Sequence, residues 1–171
     1  MGLGYTGRTI HNNRLAHRPQ HYILWRSNII VFHRDLEAGK IVERQHLGLI
    51  QRKWSDAYLV DGYCKEWDIF IPSQNIGVEI KSDQKSQYTG NIVVEIQFNG
   101  RPSALSTTRA KYWIFYTGKK SIVVEVDKLK ELVKRFKPVQ FIGKGDTKQK
   151  IAYLIPQRFI EDLHNNDLES Y

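Results

Sequence analysis

The segment GVEIK at 77–81 places an acidic and a basic side chain two residues apart in a stretch that reads as a strand. Because side chains alternate along a strand, Glu79 and Lys81 share one face with Gly77 and stand about 6.5–7 Å apart. Val78 and Ile80 share the opposite face, which their apolar character predicts to be buried. We expect Gly77 to leave open space beside the two charges.

A second carboxylate is expected beside Glu79. The segment 67–71, WDIFI, also reads as a strand, and the turn signal PSQN at 72–75 separates it from 76–81. If the two segments form a hairpin centred on that turn, Asp68 lies opposite Glu79 with Cβ atoms about 4.5–5.5 Å apart. The spacing therefore predicts two adjacent carboxylates on one face of a sheet.

Two adjacent carboxylates repel each other unless a cation lies between them. Mg²⁺ prefers one or two carboxylates together with waters and phosphate oxygens, and we expect Mn²⁺ to substitute for it. Lys81 points at the same place, where it would orient or help deprotonate an attacking water, or stabilise charge in the transition state. Asp68, Glu79 and Lys81 together predict metal-assisted phosphodiester hydrolysis.

A predicted helix provides a third carboxylate. The chain from Asp35 to about Trp54 lacks proline and reads as helical. Glu43 falls in the middle of one stripe at helical spacing, whose other members are Leu36, Gly39, Leu47, Ile50 and Trp54. A carboxylate on the face that meets a sheet needs a partner there, and a metal beside Asp68 and Glu79 would be one.

Further polar candidates follow the central strands. The segment 91–98 alternates cleanly as a strand, with Val93, Glu95 and Gln97 on one face, so Glu95 and Gln97 would extend the polar site sideways. Ser106, Thr107 and Thr108 are expected to cap a helix, whose backbone N–H groups could hold a phosphate. Three basic residues complete the candidates for contact with a nucleic-acid backbone: Lys85, Arg109 and Lys111.

Composition favours a globular protein with a polyanionic partner. The 171 residues are 41% hydrophobic and 26% charged, which is ordinary for one folded domain. The net charge of +8 suits nucleic acid first and an anionic membrane surface second. The single cysteine, Cys64, cannot form an intramolecular disulfide, so we expect a reducing, cytoplasmic setting, the host-cell cytoplasm if the source is viral.

Other function classes are not indicated. No apolar run is long enough to span a bilayer, so we expect no membrane association. The chain carries no Gly-rich phosphate loop of the nucleotide-binding type, which argues against a nucleotide cofactor. The spacing of the histidines does not match a structural zinc site.

The order of elements predicts a single α/β domain with a mixed central β-sheet flanked by helices. Residues 1–22 read as a basic N-terminal arm and 23–171 as the domain. YWIFY and SIVVEV are expected to form a hairpin, followed by an amphipathic helix, DKLKELVKRF, capped by Asp127. A strand, IAYLI, and a short helix from Pro156 complete the plan.

A helix-borne glutamate, then Asp68, ten residues and Glu79-Ile80-Lys81 resemble the PD-(D/E)XK nuclease superfamily. The segment GKIVER around Glu43 is similar to the helix of archaeal-type Holliday junction resolvases in that group. EIKSD, TGNIVVEI and GRPSALSTTRAKYWIFY resemble small phage-type nucleases of the same superfamily. The resemblance covers roughly 35–117. Residue 67 is Trp where the superfamily motif has Pro, and residue 111 is Lys where the phage-type segment is expected to be acidic.

The resemblance implies a restriction-endonuclease-like core and a divalent-metal-dependent DNA endonuclease. It assigns metal binding to Asp68, Glu79 and the carbonyl of Ile80, and positioning of the water to Lys81. Glu43 would serve a second metal or orient the waters of the first. A Holliday-junction or branched-DNA resolvase acting as a homodimer is the leading specific interpretation. A sequence-nonspecific or nicking phage nuclease is one alternative, and a non-catalytic DNA-binding protein that retains the fold is another.

Overall fold

The computed structural model describes residues 36–62, 66–143 and 147–164, so the expected basic arm at 1–22 lies outside the described residues. The helix predicted from 35 to 54 is α1, residues 36–50. The remaining helices are α2 (Ser86–Thr89), α3 (Val126–Val133) and α4 (Gln157–Glu161). The first five strands are β1 (Tyr58–Leu59), β2 (Ile69–Ile71), β3 (Ile76–Ser82), β4 (Asn91–Phe98) and β5 (Arg101–Pro102). The other four are β6 (Tyr112–Tyr116), β7 (Ser121–Glu125), β8 (Val139–Ile142) and β9 (Gln149–Pro156).

Within the described ranges the strands form two sheets. The first has the order β1-β2-β3-β6-β7, and the second has the order β5-β4-β9-β8. Strand pairs in the first sheet are antiparallel except β3 and β6, which are parallel, so this sheet is mixed. The second sheet is antiparallel throughout. A single α/β domain with a mixed sheet is therefore confirmed, as the sequence predicts.

The parallel pair is joined by an unusual connection. Parallel neighbours need a crossover of a dozen or more residues, which is commonly a helix. Here the chain leaves β3, forms the short helix α2 and then β4 and β5 of the second sheet before it returns as β6. The polar segment at 82–90 thus contains a helical turn. Strand β8 was not predicted, because VQFI is only four residues long and its alternation is weak.

The two faces of the first sheet belong to two apolar cores. Trp113 and Phe115 lie in the core between the sheets, which also contains Ile92 and Ile155 of the second sheet. Val78 and Ile80 lie in the other core, which α1 covers. Buried apolar area of this kind supplies most of the stability of a fold, at about 25 cal/mol per Å² removed from water. Helix α1 and the second sheet consequently cover opposite faces of β3 and β6.

The buried face of α1 is rotated from the predicted stripe. Val42, His46 and Ile50 are buried at i, i+4 and i+8, whereas Leu36 is exposed and Glu43 is half-buried. His46 fills the position facing the sheet because both ring nitrogens have hydrogen-bond partners. Its Nδ1 is 2.8 Å from the Val42 carbonyl, and its Nε2 is 2.8 Å from the Ser121 hydroxyl. The helix itself is confirmed. The prediction that Glu43 lies at the centre of its buried face was wrong, because Val42 and His46 occupy that position.

Two predicted caps are absent from the described residues. Residues 104–106 form a single 3₁₀ turn followed by strand β6, so Ser106, Thr107 and Thr108 do not begin an α-helix. The hydroxyl of Thr108 instead accepts hydrogen bonds from the Ala110 N–H and the Trp113 indole. Helix α3 begins after Glu125, which occupies the cap position, and Asp127 lies in its first turn. No helix in the described part of the chain is long and apolar enough to cross a membrane.

Candidate active site

The register of β2 against β3 is the one that the sequence predicts. Ile69 pairs with Val78 and Phe70 pairs with Gly77, so the ladder runs toward Asp68 on one strand and Glu79 on the other. The predicted hairpin is confirmed, with a 3₁₀ turn at Pro72–Gln74 and Asn75 in the left-handed region. The backbone N–H of Asp68 donates to the carbonyl of Val78, the residue opposite Ile69, so the regular pairing ends at the Ile69–Val78 pair.

Asp68 fills the gap where the backbone pairing ends. Its side chain is buried, and its Oδ2 accepts the backbone N–H of Ile80 at 2.6 Å. In a strand the N–H and C=O of one residue point to the same side. The Ile80 carbonyl therefore lies on the β3 edge that faces Asp68. A carboxylate held by a backbone donor, with a carbonyl beside it, is an oxygen-rich corner in an otherwise apolar surrounding.

Glu79 and Lys81 form an ion pair on the face directed toward the second sheet. Lys81 Nζ lies 2.5 Å from Glu79 Oε1, with side-chain exposures of 32% for Lys81 and 19% for Glu79. The ammonium also lies 5.1 Å from the ring centroid of buried Trp113, whose indole N–H donates to Thr108. These contacts hold the lysine from two sides, while about a third of its side chain is exposed.

The space beside the charged pair is filled. A Cβ built on Gly77 would lie 2.5 Å from atoms of the Trp67 ring, so the indole packs directly on this glycine. The prediction that Gly77 leaves open space was wrong: the strand needs glycine here because an aromatic ring covers it. Trp67 is thus a wall of the candidate site.

Glu43 approaches from the other side of the sheet. It lies half-buried on α1, which packs on the face formed by Val78 and Ile80 rather than on the face of Glu79. Among residues 36–62, 66–143 and 147–164, no three His, Cys, Asp or Glu side chains are grouped so that they could hold a metal ion. The three carboxylates Glu43, Asp68 and Glu79 are therefore not assembled as one cluster.

The prediction that Glu95 and Gln97 share one face of a strand was wrong. Glu95 and Gln97 belong to β4 of the second sheet, and a bulge between them shifts the register: Glu95 pairs with Ala152, but Gln97 pairs with Ile151. Neighbouring residues of β9 point to opposite faces, so Glu95 and Gln97 do as well. Glu95 accepts a hydrogen bond from Ser103 at 2.6 Å and pairs with Lys150 at 3.4 Å.

The candidate phosphate contacts lie at the surface in two groups. Arg109 is exposed and pairs with Glu66, next to Trp67, while Lys111 is exposed with its ammonium 5.4 Å from the Tyr112 ring centroid. Thr107 is also exposed here. Lys85 is exposed at the start of α2, beyond the end of β3. Basic side chains thus occur near both ends of β3.

Sequence reasoning missed an aromatic strip that adjoins the site. The rings of Trp67 and Phe70 stack with centroids 5.2 Å apart and an interplanar angle of 17°. Tyr58 meets Phe70 edge-on at 6.0 Å. Phe70 pairs with both Tyr58 and Gly77, which sets these residues on the face that carries Glu79. The alternation of WDIFI already indicated that Phe70 shares the face of Asp68, but not that Tyr58 would pair with it.

Comparison of the chain with known protein families, curated proteins and solved structures finds no match.

Proposed function

We propose that this protein is a divalent-metal-dependent endonuclease that hydrolyses phosphodiester bonds in DNA. The observations that support the proposal are the β2–β3 register, which runs toward buried Asp68 and Glu79, and the ion pair of Glu79 with Lys81 on one face of β3. A protein that only binds DNA has no need for adjacent carboxylates at a strand junction, because their repulsion destabilises the fold unless a cation lies between them.

The oxygen donors at this junction fit Mg²⁺. Asp68, Glu79 and the Ile80 carbonyl offer two carboxylates and one neutral oxygen, a set that leaves room for waters and phosphate oxygens. When bound, the ion would neutralise phosphate charge and lower the pKa of an attached water. The N–H of Ile80 keeps the Asp68 carboxylate in a fixed orientation toward that place. Glu43, on the far face, would act through water if it contributes.

Lys81 has the position for a role in hydrolysis. Its ammonium is held beside Glu79 and over the Trp113 ring, and it is about one-third exposed. From there it would orient the attacking water and stabilise negative charge on the phosphate in the transition state. The ion pair with Lys81 offsets part of the repulsion between Glu79 and Asp68, and a bound metal ion would offset more of it.

DNA is the substrate that the charge distribution supports. The chain has 26 Lys and Arg against 18 Asp and Glu, and exposed basic side chains lie near both ends of β3. We further propose a branched DNA, such as a four-way junction, as the preferred substrate and a homodimer as the active form, as the resemblance to resolvases implies.

Metal binding is tested apart from catalysis by thermal unfolding in Mg²⁺, Mn²⁺ or EDTA. A ligand that binds only the folded state raises the free energy of unfolding by about 2.7 kcal/mol at a concentration 100 times Kd. We expect metal to raise Tm of the wild type and to raise it much less in Asp68→Asn and Glu79→Gln. Glu131→Gln, which alters an exposed carboxylate on α3, is the matched control and should keep the full shift.

The substrate is tested with a panel of labelled four-way junction, flap, linear duplex and single-stranded DNA. Paired symmetric cuts confined to the junction support a resolvase. Equal cutting of all duplex substrates, or nicks in one strand only, would replace it with the nonspecific or nicking nuclease. Intact DNA binding without cutting of any substrate would contradict the enzyme and leave a DNA-binding protein.

A further inference from the structure

Three aromatic rings form a continuous strip from the edge of the first sheet to the candidate site. Tyr58 on β1 contacts Phe70 on β2, and Phe70 stacks on Trp67, which in turn packs on Gly77 of β3. Gly77 is two residues before Glu79 on the same face of β3, so the strip ends about 7 Å from the candidate catalytic glutamate. The rings and the charges share one face of one sheet.

The strip is accessible where it leaves the core. Tyr58 is 48% exposed, whereas Phe70 and Trp67 are half-buried, so exposure increases from the candidate site toward the sheet edge. A buried aromatic cluster would exclude water at every member, but this one opens outward. Arg109, paired with Glu66 beside Trp67, places an exposed guanidinium at the flank of the strip.

Bases of single-stranded nucleic acid bind on such platforms. Each base has an aromatic face that stacks on exposed rings whatever its identity, while neighbouring cationic side chains contact the phosphates. Bases within an intact duplex are already stacked and cannot make this contact. A strip beside a site for phosphodiester cleavage therefore favours a substrate that has unpaired nucleotides next to the cleaved bond.

We propose that Tyr58, Phe70 and Trp67 form a subsite that stacks on unpaired bases of the DNA substrate. The proposal rests on the proposed nuclease function and specifies its substrate class: DNA with a single-stranded segment beside the cleavage position, as at a branch point or flap. The subsite contributes base-dependent binding that phosphate contacts cannot provide.

The test compares normal single-stranded DNA with a strand of the same length that has abasic sites at its centre. Both probes carry the same phosphates, so only stacking distinguishes them. Affinity is measured by fluorescence anisotropy with the full chain in EDTA. We expect the wild type to bind the normal strand about 5- to 150-fold more tightly, the range for one stacked base.

The variants remove the aromatic face while they keep apolar bulk. Tyr58→Leu and Phe70→Leu should reduce the preference for the normal strand by at least several-fold, and their Tm values show whether the fold is retained. Tyr88→Leu is the matched control, because Tyr88 on α2 is 84% exposed and lies outside the strip. It should keep the wild-type preference. Tyr58→Leu is the decisive variant, since its ring contributes least to the core.

The outcomes separate this proposal from the nuclease. If Tyr58→Leu loses the base-dependent binding but the wild type cuts no DNA, the stacking subsite is supported and the proposed endonuclease activity is overturned. Metal-dependent cutting by a protein that binds normal and abasic strands equally overturns the subsite and leaves the enzyme intact. A preference that persists in folded Tyr58→Leu and Phe70→Leu also overturns the subsite, because stacking then occurs elsewhere.

Discussion

At the scale of single residues, Asp68 has two separable roles. Its carboxylate is one of the proposed metal ligands, and it also accepts the buried N–H of Ile80 where the β2–β3 pairing ends. Substitutions that keep the acceptor but remove the charge should therefore differ from those that remove both. This distinction allows loss of activity to be separated from loss of fold.

We expect Asp68→Ala to lower the free energy of unfolding by about 1–3 kcal/mol more than Asp68→Asn does. Alanine leaves the buried Ile80 N–H without its acceptor, whereas the asparagine carbonyl oxygen can take the place of Oδ2. Both variants should lose cleavage. Urea denaturation with unchanged m values measures the difference, and equal stability of the two variants would contradict the structural role of Asp68.

His46 predicts a pH dependence of stability. Burial lowers the pKa of His46 from its ordinary value of 6.5, and the hydrogen bond to the Val42 carbonyl partly opposes that effect. Below about pH 6.5 the unfolded chain binds a proton that the folded chain resists, so stability present above that pH is lost as the pH falls toward the lowered pKa. The loss is at most about 1.4 kcal/mol per pH unit for one proton.

The corresponding experiment compares the wild type with His46→Gln by chemical denaturation at pH 7.5 and pH 5. The wild type should lose more stability over this interval than the variant, because titration of other groups is common to both. Parallel pH profiles would show that His46 does not carry this dependence.

At the scale of elements, the sequence predicted most of the parts that form the candidate site. The alternation at 76–81 and the turn signal at 72–75 were enough to predict the β2–β3 register, because register in a hairpin follows from turn position. The bulge that separates Glu95 from Gln97 was not predictable, since a single inserted residue leaves no local signal in NIVVEIQF. Assignment of β4 to a second sheet was also out of reach, because alternation fixes the faces of a strand and not its neighbours.

The close packing of Trp67 on Gly77 was missed for a similar reason. A glycine in a strand indicates either empty space or close approach by another group, and the sequence does not distinguish these. The rotation of the α1 stripe reflects His46, which reads as polar but is buried because both ring nitrogens have partners. Local sequence periodicity therefore predicted where the helices and strands lie. Tertiary packing, which the periodicity does not show, decides which face of each element is buried.

We expect Gly77→Ala to lower the free energy of unfolding by about 1–3 kcal/mol, because the new methyl group overlaps the Trp67 ring. In the Trp67→Leu background the same change should cost less, since the flexible leucine can move away. A double-mutant cycle by denaturation measures this coupling. Equal losses in both backgrounds would mean that the ring does not pack on Gly77.

At the scale of the whole molecule, the net charge of +8 predicts strongly salt-dependent DNA binding. Each neutralised phosphate contributes a slope of about −0.9 to log K against log salt concentration on duplex DNA. We expect Lys85→Ala and Lys111→Ala each to reduce the magnitude of this slope by about 1. Lys134→Ala, which removes an exposed lysine paired with Glu131 on α3, should leave the slope unchanged. Anisotropy titrations in EDTA measure all four proteins.

Within the residues that the structure describes, the two sheets and α1 cover both faces of the central strands and leave one sheet edge uncovered. The second sheet and α3 bury one side of β6 and β7, α1 buries the other, and β1 and β2 form the sheet edge that carries Asp68 and the aromatic strip. Rigid packing on both faces of β3 holds the candidate site in place, while the edge remains accessible. A DNA strand would therefore approach along the β1–β2 edge.

The central claim is tested most directly by cleavage of a labelled four-way junction and a linear duplex, with Mg²⁺ or EDTA, by the wild type and Lys81→Ala. Lys134→Ala is the control for loss of a surface charge. We expect metal-dependent cutting by the wild type and Lys134→Ala, and cutting reduced by a factor of about 100 or more in Lys81→Ala with its fold retained. Equal cutting by the wild type and Lys81→Ala would contradict the proposed role of Lys81 in the active site. Binding of both substrates by the wild type without cutting of either would contradict the proposed endonuclease activity.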